Sequence, residues 1–244
     1  MSALLDPALL MKAYAAGIFP MADSRDADEV YWVEPKRRGV LPLEGFRLSR
    51  SLAKTLRSGR LSSTVDTAFA EVVRLCAETA PDRDNTWINP QIERAVNLLH
   101  QSGQAHSVET WEGGELVGGL YGIRLGRAFF GESMFSRVTD ASKVSLAHLV
   151  ARMRVGGFTL LDCQFLTPHL ASLGAVEIGR NAYAGLLSAA LSAGSGAASR
   201  EGDFFAFDLG PEDAGSPAPP PPRTTTVSGP VSGKRIVQAL VQTS

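Results

Sequence analysis

The sequence predicts an α+β fold built on a mainly antiparallel sheet, and three observations predict it. Residues 105 to 137 alternate apolar and polar side chains through HSVETW, ELVGGLYGIR and RAFFGESMFSR. The turns Glu112-Gly113-Gly114 and Leu125-Gly126 separate these runs, which is the pattern of a three-stranded antiparallel meander. Capped amphipathic helices precede the meander, and a helix, a strand and a last helix follow it. This order of strands, helix, strand and last helix gives an α+β architecture with a mainly antiparallel sheet.

The helices are justified by their punctuation. Asp6-Pro7 opens an apolar stretch that stops at Gly17, and Asn89-Pro90 opens another that stops near Gly103. Ser49 caps a short helix ending at Gly59, and Asp66 is expected to cap one carrying Phe69, Val72, Val73 and Cys76. Asp140 is expected to cap a helix running to about Arg154, which Gly156-Gly157 stops. The strand FTLLDCQF occupies 158 to 165, and a final helix lies near 181 to 194. The last 34 residues hold seven of the 14 prolines and too little apolar surface to fold, so 210–244 reads as a disordered Pro-rich tail. Within it Ile236, Val237, Leu240 and Val241 share a helical spacing that leaves docking open for its last piece.

With 24 basic and 25 acidic residues the chain is not a globally basic nucleic-acid coat, so any RNA contact must come from a local patch. Cys76 and Cys163 lie too far apart in sequence to form a ligand cluster, and they read as reduced thiols. The first residues lack the basic leader of a signal peptide, and no window reaches about 18 apolar residues. A cytoplasmic protein with no membrane contact is therefore expected. His100, His106, His148 and His169 show no metal spacing. A GxSxG elbow, a Walker loop and a dinucleotide fingerprint are also absent, which leaves triad chemistry, NTP hydrolysis and hydride transfer unsupported.

Three sets of residues remain as candidates. Strict alternation in Leu160-Leu161-Asp162-Cys163-Gln164-Phe165 puts Asp162 and Gln164 on one face, roughly 7 Å apart, and Leu161, Cys163 and Phe165 on the other. A carboxylate in such an apolar strand needs partners, from a satisfied core or from a cleft. The same logic puts Glu132 and Met134 together, a carboxylate beside an apolar wall, suited to a ligand with a cationic and a greasy end. Residues 34–60 carry eight basic side chains against two acids, and Arg50, Lys54 and Arg57 fall on one helix face with Arg47 nearby. That stripe is either a phosphate-binding surface or a solvated helix face. Trp32, Trp87 and Trp111 can each stack on a base or fill a core.

The stretch HSVETWEGGELVGGLYGIRLGRAFFGESMFSRVTDASK, followed by LLDCQFLTPHLASLGAVEI, closely resembles the leucyl/phenylalanyl-tRNA–protein transferase family. AYAAGIFPM, RGVLPLEGFRLSRSL and NTWI extend the resemblance in collinear order over roughly residues 8 to 190. Tyr31-Trp32-Val33-Glu34-Pro35-Lys36-Arg37-Arg38 departs from it, since the family often has two adjacent tryptophans and a Ser-Pro-Asp-Pro-Arg run there. The resemblance implies a small N-terminal domain, set here at 1–46, followed by a catalytic domain of GNAT-like acetyltransferase fold at 47–209.

It further implies transfer of leucine or phenylalanine from aminoacyl-tRNA to the N-terminal amine of proteins beginning with Lys or Arg. The product is thereby marked for N-end rule degradation. The ester arrives activated, so no cofactor and no metal is expected. An α-amine with a pKa near 7.7 to 8 needs little base help, and positioning should dominate. Asp162 and Gln164 are the expected catalytic pair, the carboxylate orienting Gln164 while its carbonyl oxygen accepts from the attacking amine. Glu132 is expected to bind the acceptor peptide. Phe129, Met134, Leu146, Leu149, Met153 and Leu161 would form the aminoacyl pocket, with Trp87 or Trp111 as a wall. Arg47, Arg50, Lys54 and Arg57 would hold tRNA phosphates while Trp32 stacks on the terminal adenine. Two rival readings are a non-enzymatic RNA-binding module and a GNAT-like aminoacyltransferase acting on a non-protein acceptor.

Overall fold

The computed structural model describes residues 5–78, 85–192, 201–208 and 228–242. In chain order its elements are α1 (Pro7–Ala15), β1 (Phe19–Met21), β2 (Tyr31–Val33), β3 (Arg37–Val40), α2 (Arg50–Ser58), β4 (Ser62–Val65) and α3 (Phe69–Cys76). Then follow α4 (Pro90–Gln101), β5 (Ala105–Glu112), β6 (Glu115–Leu125), β7 (Ala128–Ser136), α5 (Ala141–Val155) and β8 (Leu160–Gln164). The remainder is α6 (Pro168–Ser172), β9 (Val176–Gly179), α7 (Arg180–Ser192), β10 (Ser228–Val231) and α8 (Gly233–Val241).

Among the described residues, eight strands form one sheet in the order β10-β4-β5-β6-β7-β8-β3-β9, and β1 with β2 forms a separate ribbon. All pairings in the large sheet are antiparallel except that of β7 with β8. The fold is thus mixed, with a mainly antiparallel sheet, and the meander occupies the predicted segments. Its turns fall on Gly113, Gly114 and Gly126, all at positive φ, where a Cβ would be strained. The sheet carries a core on each face. Val108, Leu120, Phe129 and Leu161 pack with α2, α5 and α8, while Ala105, Tyr121, Ile123 and Phe130 pack with α1, α3, α4 and α7.

The caps at Asp6, Ser49 and Asn89 form as predicted, each side chain accepting from a first-turn amide at 3.0, 3.1 and 3.0 Å. Asp66 does not cap α3, whose N-cap position is Ala68. Its carboxylate instead accepts from Ser107 N and pairs with His106 Nδ1, both at 2.8 Å, so strand β5 claims it. Asp140 stands at the N-cap position of α5, but its carboxylate accepts from no helix amide and takes instead the Thr55 hydroxyl and the Lys143 ammonium, both at 3.0 Å.

Two expectations about organisation change. β3 lies before the boundary expected at residue 46, yet it pairs with both β8 and β9 inside the large sheet. The N-terminal segment therefore shares that sheet and keeps only the β1–β2 ribbon to itself. The expected disordered tail, 210–244, is corrected at its end. β10 adds an edge strand to β4, and α8 buries Ile236, Val237 and Leu240 against α2 and α5. The helical spacing of those residues supplies the apolar face that the prolines before them lack. The proline-rich part, 209–227, lies outside the described residues.

Ile236→Ala removes a fully buried side chain from this docked helix. It should lower the unfolding free energy by about 2–4 kcal/mol in urea titration. A change under about 0.5 kcal/mol would mean that α8 leaves the body in solution.

Candidate active site

The pairing of β7 with β8 runs only from Ala128 opposite Leu160 to Phe130 opposite Asp162. Beyond that point Gly131, Glu132 and Met134 on one strand and Cys163 and Gln164 on the other line a cavity of about 330 Å³. Its floor is apolar, from Leu120, Leu161 and the α5 residues Leu146 and Leu149. Phe19 and Met21 of β1, together with Trp87, wall one side, and His169 with Leu170 of α6 contributes another.

Both lining strands are irregular where they meet the cavity. In β7, Gly131 faces Gly122 and Ser133 faces Tyr121, so Glu132 is an extra residue, a β-bulge. In β8, Gln164 faces Gly39 while Asp162 faces Val40, which bulges Cys163 in the same way. Gln164 also has φ +54°, a left-handed conformation uncommon for a side-chain-bearing residue. Strict alternation, which predicted Asp162 and Gln164 on one face, fails here. Gln164 lines the cavity with Leu161 and Cys163, whereas Asp162 is absent from its wall.

Asp162 is fully buried and saturated. Arg38 Nε donates to Oδ1 and Oδ2 at 2.9 and 3.0 Å, and Arg38 Nη2 donates to Oδ2 at 2.6 Å. The Tyr183 hydroxyl donates to Oδ2 at 2.7 Å, and burial, with the nearby Asp162 charge, pushes the Tyr183 phenol up. The backbone N–H of Gln164 donates to Oδ1 at 2.8 Å. Asp162 thus orients Gln164 through the main chain, holding its strained turn, and not through the side-chain amide.

That amide is fixed from the other strand, with Gln164 Nε2 donating to Glu132 Oε1 at 2.9 Å. Gln164 Oε1 then remains as an acceptor on the cavity wall. Glu132 is 7% exposed, and burial pushes its carboxyl up to about 8 from an ordinary 4.5. The Tyr14 phenol, itself buried, favours the ionised form but stands outside strict hydrogen-bond geometry, and the Asp162 charge opposes ionisation. Burial likewise pushes the Cys163 thiol up, which disfavours its reactive thiolate form.

Of the residues expected in an apolar pocket, Met134, Leu146, Leu149, Leu161 and Trp87 line the cavity. Phe129 does not, because it stacks on Phe204 at 5.5 Å behind the sheet's surface. Met153 is fully buried one turn beyond Leu149, where α5 has left the cavity. Trp111 is tied by its Nε1 to Thr64 Oγ1 at 2.7 Å and stands on β5, away from the wall. Trp32 is exposed but pairs with Pro20 on the ribbon, while Tyr31 pairs with Met21. Since Met21 lines the cavity, alternation aims Trp32 to the opposite face.

Arg47, Arg50, Lys54 and Arg57 are exposed, and none makes an ion pair among the described residues. Leu52, Ala53 and Leu56 form the buried face of α2 behind them. Arg47 N donates to Leu173 O at 2.9 Å, which fixes the start of this stripe to the end of α6, the helix whose first turn lines the cavity. Two residues that sequence reasoning missed are Arg38, counted only as part of the basic run, and Tyr183.

The chain matches the family model described as leucyl/phenylalanyl-tRNA protein transferase over residues 40–188. It matches the model of that transferase's N-terminal domain over residues 3–36. The chain belongs to the leucyl/phenylalanyl-tRNA protein transferase family. A leucyl/phenylalanyl-tRNA–protein transferase of Rhizorhabdus wittichii is 58% identical, covering 98% of this chain and 99% of the relative. Relatives of the same name from Zymomonas mobilis and Cereibacter sphaeroides are each 61% identical, covering 79% and 77% of this chain and 72% and 86% of their own. In this member of the transferase family, the matched segment from 40 to 188 contains the cavity strands, α5 and α6, whereas Phe19 and Met21 come from the N-terminal segment.

The raised Glu132 pKa makes a stability prediction. Between about pH 4.5 and 8 the folded chain keeps a proton that the unfolded chain has lost, so stability falls as pH rises through that window. Glu132→Gln should remove this contribution and raise the thermal midpoint more at pH 8 than at pH 5, by an amount worth a few kcal/mol. An equal shift at both pH values would contradict the burial argument.

Proposed function

We propose that this chain transfers leucine or phenylalanine from aminoacyl-tRNA to the N-terminal amine of proteins that begin with Lys or Arg. The observation that carries this reading is Gln164. Its backbone is held left-handed by Asp162, its amide nitrogen by Glu132, and its free Oε1 stands on the wall of an apolar cavity. A cavity of about 330 Å³ is at the small end of ligand pockets, suited to one aliphatic or aromatic side chain and the ester beside it.

In this reading Leu146, Leu149, Leu161 and Met134 hold the side chain of the charged amino acid. The acceptor amine enters unprotonated and donates a hydrogen bond to Gln164 Oε1, which aims its lone pair at the ester carbonyl. The C–N bond forms, the ester C–O bond breaks, and the proton leaving nitrogen ends on the ribosyl oxygen. Glu132 offers an ionisable carboxyl to the cationic acceptor, whose charge favours the deprotonated form. Catalysis by fixed hydrogen bonds next to a pre-activated ester asks for positioning more than for a strong base.

The two strands that separate around this cavity after a short parallel pairing support a GNAT-like acetyltransferase architecture. The exposed Arg47, Arg50, Lys54 and Arg57 stripe, fixed to α6, supports a path for acceptor-stem phosphates toward the cavity. The product would begin with leucine or phenylalanine, the mark for N-end rule degradation. A charged-tRNA substrate supports a cytoplasmic location for the reaction.

The decisive experiment incubates the protein with leucyl-tRNA and an Arg-starting peptide. Transfer to the peptide supports the reading, no transfer favours an RNA-binding module, and transfer elsewhere favours a non-protein acceptor. Gln164→Ala should lower the single-turnover rate about 10²-fold or more, in line with the loss of a positioned group. Asp162→Asn should lower it as well, by loosening the Gln164 turn, and a normal rate in either variant would sink the catalytic assignment. The double variant Lys54→Ala, Arg57→Ala should weaken binding of charged tRNA and flatten its salt dependence by about one to two units of log–log slope. Unchanged affinity and slope would make the stripe a solvated helix face.

A further inference from the structure

His169 stands on α6, in the cavity wall facing the strands that carry Glu132 and Gln164. Its Nε2 is buried and has no hydrogen-bond partner among the described residues. Two polar groups in the same wall are already committed. Gln164 Nε2 is bound to Glu132, and Thr167 Oγ1 caps α6 by accepting from Leu170 N at 3.2 Å. A buried polar atom without a partner is rare in folded proteins, and this one belongs to a residue that lines a ligand-sized cavity, where a bound molecule can complete it. Burial, followed by the nearby Lys143 ammonium, holds the imidazole below its usual pKa, so the ring is neutral and carries one N–H.

The substrate has one set of polar atoms left for this nitrogen. Under the proposed function, on which this inference rests, the apolar floor takes the amino-acid side chain and Gln164 takes the attacking amine. The oxygens of the ester and of the terminal ribose remain. The geometry points to His169 as a further catalytic residue of the transfer, its Nε2–H donating to the ribosyl oxygen that leaves the ester carbon. That oxygen gains negative charge as the C–O bond breaks, and the proton given up by the acceptor nitrogen neutralises it. His169 stabilises this charge during the transfer and ends with the same proton it began with. Such a donor acts mainly in the transition state, where the charge is largest.

The test compares wild type with His169→Leu, which fills the space without a donor, and His169→Gln, which restores an N–H at similar reach. Transfer from leucyl-tRNA to an Arg-starting peptide is measured with thermal midpoints for all three proteins. The expected result is a kcat at least 10-fold lower in His169→Leu at a charged-tRNA KM within twofold of wild type. His169→Gln should recover most of that loss. Both variants within twofold of wild-type kcat would overturn the role. A loss of equal size in both, or one seen only as a raised KM, would also overturn it, since a structural or uniform binding role predicts those outcomes. A wild-type protein that transfers nothing would instead remove the functional reading itself, and the two failures are therefore distinct.

Discussion

The buried ion pair between Arg38 and Asp162 is the constraint on which the rest of the site depends. Arg38 comes from β3, spans to β8 and also donates to Gly17 O at 2.9 Å, at the end of α1. Its guanidinium lies over the rings of Phe19 and Tyr183, at 4.7 and 4.5 Å from their centroids. One side chain thus joins the N-terminal helix, the cavity wall at Phe19, two strands and α7. A buried pair of this kind carries a desolvation penalty that often cancels its Coulomb attraction, so it is poorly explained as a device for stability alone. Its value lies in geometry. It fixes the Asp162 carboxylate so that Oδ1 is presented to the amide of Gln164.

The cavity in turn comes from defects in an otherwise regular sheet. Pairing of β7 and β8 ends after three residues, and a bulge follows in each strand. The bulges reset alternation, so Phe129 and Met134, an odd and an even position, both belong to the α5 side. Gly39 makes the second bulge possible, since a Cβ there would lie 2.7 Å from the Phe165 carbonyl carbon. The left-handed Gln164 stores strain that the Asp162 hydrogen bond holds in place, in keeping with the clustering of such conformations at functional sites.

Much of the fold was legible because it follows local rules. The meander has period two with glycine turns, and three helix caps use Asp, Ser and Asn with direct side-chain bonds. Asp66 and Asp140 carried the same local signal, but long-range partners at Ser107 and Thr55 took their carboxylates. Of the site, the residue types were readable while the facing was not. Gln164 and Asp162 fall on opposite sides because bulges and positive φ are set by the partner strand, here by Gly39, and one strand's sequence does not reveal them. Arg38 was hidden for a similar reason. Within a run of basic residues nothing local distinguishes the one buried cation from Lys36 and Arg37, which stay exposed. The docking of α8 is masked in the sequence because the prolines before it dominate the local composition.

The burial of Glu132 gives the site a selective electrostatic response. With its pKa near 8 the carboxyl keeps its proton at neutral pH when nothing charged is beside it. Ionising it requires a compensating cation in the same low-dielectric wall, where charges interact more strongly than in water. Under the acceptor role assigned to Glu132, a protein beginning with Lys or Arg offers that cation and a neutral residue does not. In that proposed role, discrimination would come from the energy of removing a proton from a buried acid, the same burial that lowers stability at high pH. Because Glu132 also anchors Gln164, a cation that changes the charge of Glu132 strengthens the hydrogen bond that holds the Gln164 amide. Under the proposed roles of Glu132 and Gln164, acceptor recognition and the aim of the attacking amine would be coupled through one carboxyl group.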